Sequence, residues 1–213
     1  MRAIHSKAES EPTQAWVPDT TSLAKLREAA RKCTGCPLYQ NATQTVFGEG
    51  AARARIVIVG EQPGDREDLE GRPFIGPAGG LLDSALADAG ISREKVYITN
   101  AVKHFKWKPR GKRRLHEKPN SREIAACRPW LEAELRSIRP DFLILMGATA
   151  AQTVLGSTAR IQRDRGVLRE SELCRQTMIT IHPSALLRMP DEAARAEGYA
   201  ALVDDLRVVA KAH

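Results

Sequence analysis

The chain reads as an α/β protein whose parallel sheet is covered by helices on both faces, and three observations lead there. Short apolar runs at residues 56–59, 96–99, 142–146 and 178–181 are continuous rather than alternating, the pattern of strands buried on both faces. Helical patterns fall between these runs, which argues for parallel strands joined by crossover helices. Polar residues capable of chemistry follow the runs directly, where open α/β sheets place their crevices.

In chain order, residues 1–19 are polar with two prolines and read as a loose tail; residues 20–213 read as one domain. Residues 22–32 form an amphipathic helix with Leu23, Leu26 and Ala30 on one face. The first strand is followed by Gly60-Glu61-Gln62-Pro63-Gly64-Asp65, a turn that matches neither the dinucleotide fingerprint nor the P-loop, so no nucleotide cofactor is expected. Residues 71–80 read as a rigid Gly- and Pro-rich loop presenting Phe74, and the helix at 81–89 offers free N–H groups for a phosphate. Asn100 ends the second strand, with amide donor and acceptor side by side.

Residues 122–138 make a longer helix. No charge interrupts residues 142–159, but Thr149, Gln152, Thr153, Ser157 and Thr158 break their apolarity, so the stretch reads as a strand and a helix (149–155) rather than a membrane span. His182-Pro183-Ser184 follows the fourth strand and turns an imidazole toward the crevice, and a helix at 192–212 closes the chain. One crevice is thus expected to gather Glu61, Gln62, Asp65, Asn100 and His182.

Between the second strand and the long helix lies the most unusual segment, residues 106–118, with seven Lys or Arg among thirteen positions and one acid. The formal net charge of +7 is concentrated there, which points to a polyanionic partner, nucleic acid first. A solvated phosphate-binding patch is the plain reading. His116 adds another, because neighbouring cations disfavour the imidazolium and leave a neutral lone pair available as a nucleophile.

The polar start carries no apolar signal core, so the expectation is a cytoplasmic protein in a reducing compartment, where four cysteines are not disulfides. Cys33 and Cys36 have metal-ligand spacing and precede the first strand, unlike a redox pair of the thioredoxin kind. Cys127 is a third candidate ligand, with His104 or Cys174 for the fourth place; zinc and an iron-sulfur cluster would use the same letters.

Taken together, Cys33-x-x-Cys36-Pro37-Leu38, Gly60 to Asp65, Gly71-Arg72-Pro73-Phe74-Ile75-Gly76-Pro77-Ala78-Gly79, Thr99-Asn100-Ala101-Val102-Lys103-His104, Cys127-Arg128-Pro129 and His182-Pro183-Ser184 resemble the uracil-DNA glycosylase superfamily. The likeness is to its iron-sulfur family 4 branch and, within that, the UdgX class. His104 stands where other family 4 members have a cysteine, and Lys112-Arg113-Arg114-Leu115-His116 lies in an extra loop.

The resemblance implies a single-domain three-layer α/β/α sandwich with a central four-stranded mainly parallel sheet, and a structural [4Fe-4S] cluster on Cys33, Cys36, His104 and Cys127. It implies uracil-containing DNA as partner, single strands preferred because flipping a base out of a duplex costs about a few kcal/mol. Gly60, Gln62, Phe74 and Asn100 would hold uracil, Phe74 by stacking and Asn100 by accepting from N3–H and donating to O4. Glu61 would wall off the thymine methyl. Glu61 and Asp65 would stabilise the developing cationic sugar, and His182 the departing uracil. Lys112, Arg113, Arg114 and Ser184 would contact DNA. His116 would capture C1′ covalently in place of water, giving an adduct without turnover. A multiple-turnover glycosylase and a non-catalytic nucleic-acid-binding module are the competing readings. No oligomerisation seam is evident, so a monomer is expected.

Overall fold

The computed structural model describes residues 13–212. Its strands are β1 (Glu49–Gly50), β2 (Ile56–Gly60), β3 (Val96–Asn100), β4 (Trp107–Arg110), β5 (Arg113–His116), β6 (Phe142–Met146), β7 (Leu168–Arg169) and β8 (Gln176–Thr180). Its α-helices are α1 (Leu23–Ala30), α2 (Asp65–Glu70), α3 (Pro77–Asp88), α4 (Ser121–Ile138), α5 (Gly147–Leu155), α6 (Ile161–Asp164), α7 (Pro183–Leu186) and α8 (Glu192–Ala212).

The main sheet runs β1-β3-β2-β6-β8-β7. Its four central strands are parallel, as the apolar runs require, and β1 and β7 add short antiparallel edges. These edge strands have two residues each, too short for any period to show in sequence.

Successive residues of each central strand serve opposite faces. Ile56, Ile58, Val96, Ile98, Ile144 and Met178 pack with Leu82 and Leu86 of α3, Leu186 of α7, and Leu202 and Leu206 of α8. Val57, Val59, Tyr97, Leu143 and Leu145 pack on the other side with Leu131 and Leu135 of α4 and Ala150 and Val154 of α5. The result is the three-layer sandwich that the strand and helix alternation predicts. Among the described residues no helix is long and apolar enough to cross a membrane.

Helix ends follow their local chemistry. Ser22 caps α1, its side chain accepting from the Lys25 N–H. Asn120 and Glu123 close a full capping box on α4, each side chain accepting from the other's backbone N–H at 2.9 and 2.7 Å. Pro77 sets the first turn of α3, which begins four residues before the expected 81.

Two expectations change. Residues 13–16 form a 3-10 turn, and Trp16 and Val17 pack against the cluster of Leu26, Phe47 and Trp130, so that part of the expected loose tail is docked; residues 1–12 of it lie outside the described residues. The basic segment is a two-stranded ribbon rather than a loose loop, with Trp107 opposite His116 and Arg110 opposite Arg113. Gly111, at φ 59°, makes its tight turn, a conformation that glycine adopts without a steric cost.

Candidate functional site

The carboxyl ends of β2, β3, β6 and β8 form one crevice, because all four strands point the same way. Gly60 and Asn100 are register partners at its floor, and the Ala101 and Val102 N–H groups donate to the carbonyls of Gly60 and Glu61 at 2.9 and 3.0 Å. A Cβ on Gly60 would stand 2.4 Å from Asn100 Oδ1 and 2.7 Å from the Phe74 ring. The glycine therefore leaves the room in which an amide and an aromatic face converge. Asn100 is buried and its Oδ1 has no hydrogen-bond partner. Such an orphan costs about 1–3 kcal/mol, which a ligand N–H recovers.

Phe74 belongs to the core cluster under α3 and also borders the crevice. Its φ of 56° is left-handed, unusual for a bulky residue. Gly79 permits this, since a Cβ there would overlap the Phe74 carbonyl oxygen. Glu67 accepts from the Gly76 N–H at 3.0 Å and ties the same loop to α2.

On the opposite wall, the ring of His182 lies 5.5 Å from that of Phe74. Its Nδ1 accepts from the Ser184 backbone N–H at 3.1 Å, and Ser184 Oγ is 2.8 Å away. An acceptor Nδ1 places the proton of a neutral ring on Nε2. Burial is the main reason that the ring stays neutral, its pKa pushed down to about 4, with the Arg188 cation adding to the effect. Ser184, expected to touch DNA, is instead the partner that orients His182.

The β4–β5 ribbon brings in His116, whose Nε2 stands 3.3 Å from Glu61 Oε1. The other Glu61 oxygen accepts a short hydrogen bond from the Thr149 hydroxyl, which fixes the carboxylate. His116 is held below the ordinary imidazole pKa by burial first, with Glu61 opposing and Arg188 adding. The direction is the one expected from the sequence, but its first cause is desolvation rather than the neighbouring cations.

Three further residues differ from expectation. Gln62 was expected to hold uracil, yet its amide donates to the Lys106 and Glu117 carbonyls at 3.2 and 2.9 Å and accepts from the Lys106 N–H at 3.1 Å. Both donors of that amide and one acceptor site clamp the base of the ribbon. Arg114 was expected to grip phosphate, but it bonds Asp65 at 2.5 Å and the fully buried Asp68 at 2.6 Å, between the rings of Phe105 and Trp107. Asp65 is thereby turned from a sugar-stabilising carboxylate into an anchor of the ribbon. Lys112 and Arg113 are exposed at the ribbon tip, where phosphate contact remains open to them.

Cys33, Cys36, His104 and Cys127 face one another around a single pocket, together with Thr45, Lys103, Ala126 and Trp130. Cys174 is elsewhere, against the carbonyls of Pro140 and Asp141, so His104 and not Cys174 accompanies the three cysteines in that lining. Among the described residues no three donors converge on one point as a single metal ion needs. Three thiols and an imidazole are a donor set whose chemistry suits an iron-sulfur cluster. The Lys103 N–H and the Trp130 indole N–H point at Cys127 and Cys33 sulfur at 3.2 and 3.3 Å, the bonds that stabilise thiolates in such sites. Burial pushes the Cys127 thiol up to about 12 and His104 down to about 4. His104 Nε2 is 2.9 Å from Thr45 Oγ1, which leaves Nδ1 as its free nitrogen.

Sequence reasoning missed Thr149 and Arg188. Thr149 was read as a helical position after the third strand, and nothing local marks its bond to a residue 88 positions away.

The comparisons with known proteins agree with this geometry. Residues 47–207 match the family described as the uracil DNA glycosylase superfamily. A type-4 uracil-DNA glycosylase of Thermotoga maritima is 43% identical over 162 residues, covering 76% of this chain and 81% of that protein. A type-4 enzyme of Pyrobaculum aerophilum is 36% identical over 179 residues, 79% of this chain and 86% of its own length. A type-5 uracil-DNA glycosylase of the same organism is 30% identical over 155 residues, 64% of each chain.

Proposed function

The chain belongs to the uracil-DNA glycosylase superfamily, and on that premise we propose that it excises uracil from DNA and retains the abasic sugar on His116. The observation that carries the first half is the unpaired, buried Oδ1 of Asn100, which meets the Phe74 ring over Gly60. Uracil N3–H donates to that oxygen; cytosine presents a lone pair there and is rejected. Phe74 stacks on the pyrimidine. Single-stranded DNA is the better substrate, because it spares the unpairing of a duplex.

Cleavage breaks the C1′–N1 bond and sends its electron pair to uracil, leaving a cationic sugar. His182, neutral with its proton on Nε2, donates to the forming anion, and Ser184 holds that tautomer. Glu61, 3.3 Å away, takes the proton from His116 Nε2, and the lone pair so freed forms the bond to C1′. Thr149 keeps the carboxylate in place, while Gln62 and Arg114 fix the ribbon that delivers the ring. Uracil takes its proton from solvent. Lys112 and Arg113 meet flanking phosphates.

Cys33, Cys36, His104 and Cys127 are the residues that would hold a [4Fe-4S] cluster. When bound, the cluster supplies iron–ligand bonds that tie the segment after α1, the segment after β3 and α4 together. The protein acts as a monomer.

A second reading is favoured by the same Glu61 pair: a carboxylate beside an imidazole can also orient a water, which gives an ordinary hydrolase. A denaturing gel of the protein with a labelled single strand carrying one uracil decides. A uracil-dependent shifted band that survives boiling and disappears in His116→Ala supports capture. Uracil release without a band leaves the hydrolase.

A further inference from the structure

Behind Asn100 lies a charge pair that the reaction itself does not use. Lys103 and Glu134 meet at 2.5 Å with side chains 1% and 0% exposed. The ammonium spends its three donors on Glu134 Oε2, Thr99 Oγ1 at 2.7 Å and the Asn100 carbonyl at 2.6 Å. Glu134 is also saturated, accepting from the Tyr97 hydroxyl at 2.8 Å, the Gly48 N–H at 3.0 Å and the Thr99 hydroxyl. The surroundings are tight: a Cβ on Gly48 would stand 2.4 Å from Glu134 Oε1.

Stability does not account for such a pair, since apolar residues of similar volume usually replace buried ion pairs without loss. Its geometry has a direction. Asn100 is the last residue of β3, where the next backbone partners are those of the crevice. The lysine bond to its carbonyl fixes the peptide plane after Asn100 and so the direction of its Cα–Cβ bond. On its other side the Lys103 N–H donates to Cys127 Sγ, and its carbonyl accepts from the Val46 N–H at 2.8 Å.

We propose that Lys103, braced by Glu134, is the positioning residue for pyrimidine readout: it sets the Asn100 amide for the base and ties that setting to the cysteine-lined site. This rests on the uracil reading above. The group touches no substrate, so its removal should weaken recognition of the base and spare recognition of DNA.

The test uses the full chain as Lys103→Met/Glu134→Gln, which removes both charges together and keeps an acceptor for Tyr97 and Gly48. Three quantities are compared with wild type: iron content with visible absorbance, binding of an oligonucleotide with a tetrahydrofuran in place of the abasic sugar, and binding of free uracil by calorimetry. Expected are unchanged iron and unchanged base-free DNA binding, with uracil affinity down about tenfold, the worth of one misplaced hydrogen bond. Thr99→Val, which removes one acceptor of the lysine and one donor to Glu134 while keeping both charges, should give a smaller loss in the same direction and serves if the double variant does not fold. Unchanged uracil affinity in a folded variant overturns the proposal, as does a parallel loss of base-free DNA binding. A wild-type protein that neither binds nor releases uracil overturns the proposed function itself, and the role of Lys103 with it.

Discussion

Gly60→Ala adds one methyl group where the structure has no room for it, at a position whose φ is not left-handed, so the effect is one of space alone. The new Cβ would lie 2.4 Å from Asn100 Oδ1 and 2.7 and 2.8 Å from two Phe74 ring carbons. Ordinary contact begins at 3.4 Å, so the amide oxygen must retreat about 1 Å and the ring about 0.6–0.7 Å. Neither yields freely. The Phe74 backbone is wedged against Gly79, and the Asn100 amide, whose backbone is fixed by Lys103, can give way only by turning its side chain. Overpacking of this size costs about 1–3 kcal/mol of stability. The larger effect falls on the base, because a displacement of about 1 Å in a positioning group can cost about 100-fold in rate. Single-turnover release of uracil from a single strand, with denaturant unfolding alongside, measures both. A variant that releases uracil at the wild-type rate shows that the space beside Gly60 does not receive the pyrimidine.

Other expectations follow from the same contacts. Arg114→Ala leaves the fully buried Asp68 without its cation and should destabilise the fold by about 3 kcal/mol, with capture by His116 falling more than uracil release; equal losses in gel and release assays refute the anchoring role. His182 has a folded pKa of about 4 against an ordinary 6.5, so its contribution to stability is complete above 6.5 and is lost as the pH falls through about 4. Uracil release should likewise decline only toward pH 4, and a midpoint near 6.5 in a single-turnover profile contradicts the buried neutral ring. Cys36→Ser should abolish visible iron-sulfur absorbance and raise hydrogen exchange in residues 33–47, while the β2–β3–β6–β8 core stays protected; exchange unchanged throughout would mean that the cysteine site does not hold this layer.

Much of the architecture was legible because its signals are local. Continuous apolar runs such as 142–146 announce a doubly covered strand, and the Asn120 and Glu123 spacing announces a helix start. The crevice followed from the parallel direction of the strands, which placed Glu61, Asn100 and His182 together before any coordinates. Cys33 and Cys36 were visible as a metal-ligand pair from spacing and Cys127 as a third candidate, whereas His104 rather than Cys174 came from resemblance, and the structure adds that His104 shares a lining with the three cysteines.

What composition and order determined by themselves was the layer plan, the side of the sheet that carries the site, and the residue types gathered there. Tertiary structure decided what each polar group does. Arg114 looks like a phosphate ligand in its run of cations, but a carboxylate 46 residues earlier claims it. Gln62 looks like a base ligand, but two carbonyls 44 and 55 residues later use its amide. Hydrogen bonds and ion pairs are formed by proximity, and proximity between distant segments exists only after the core has packed, so no local window contains it.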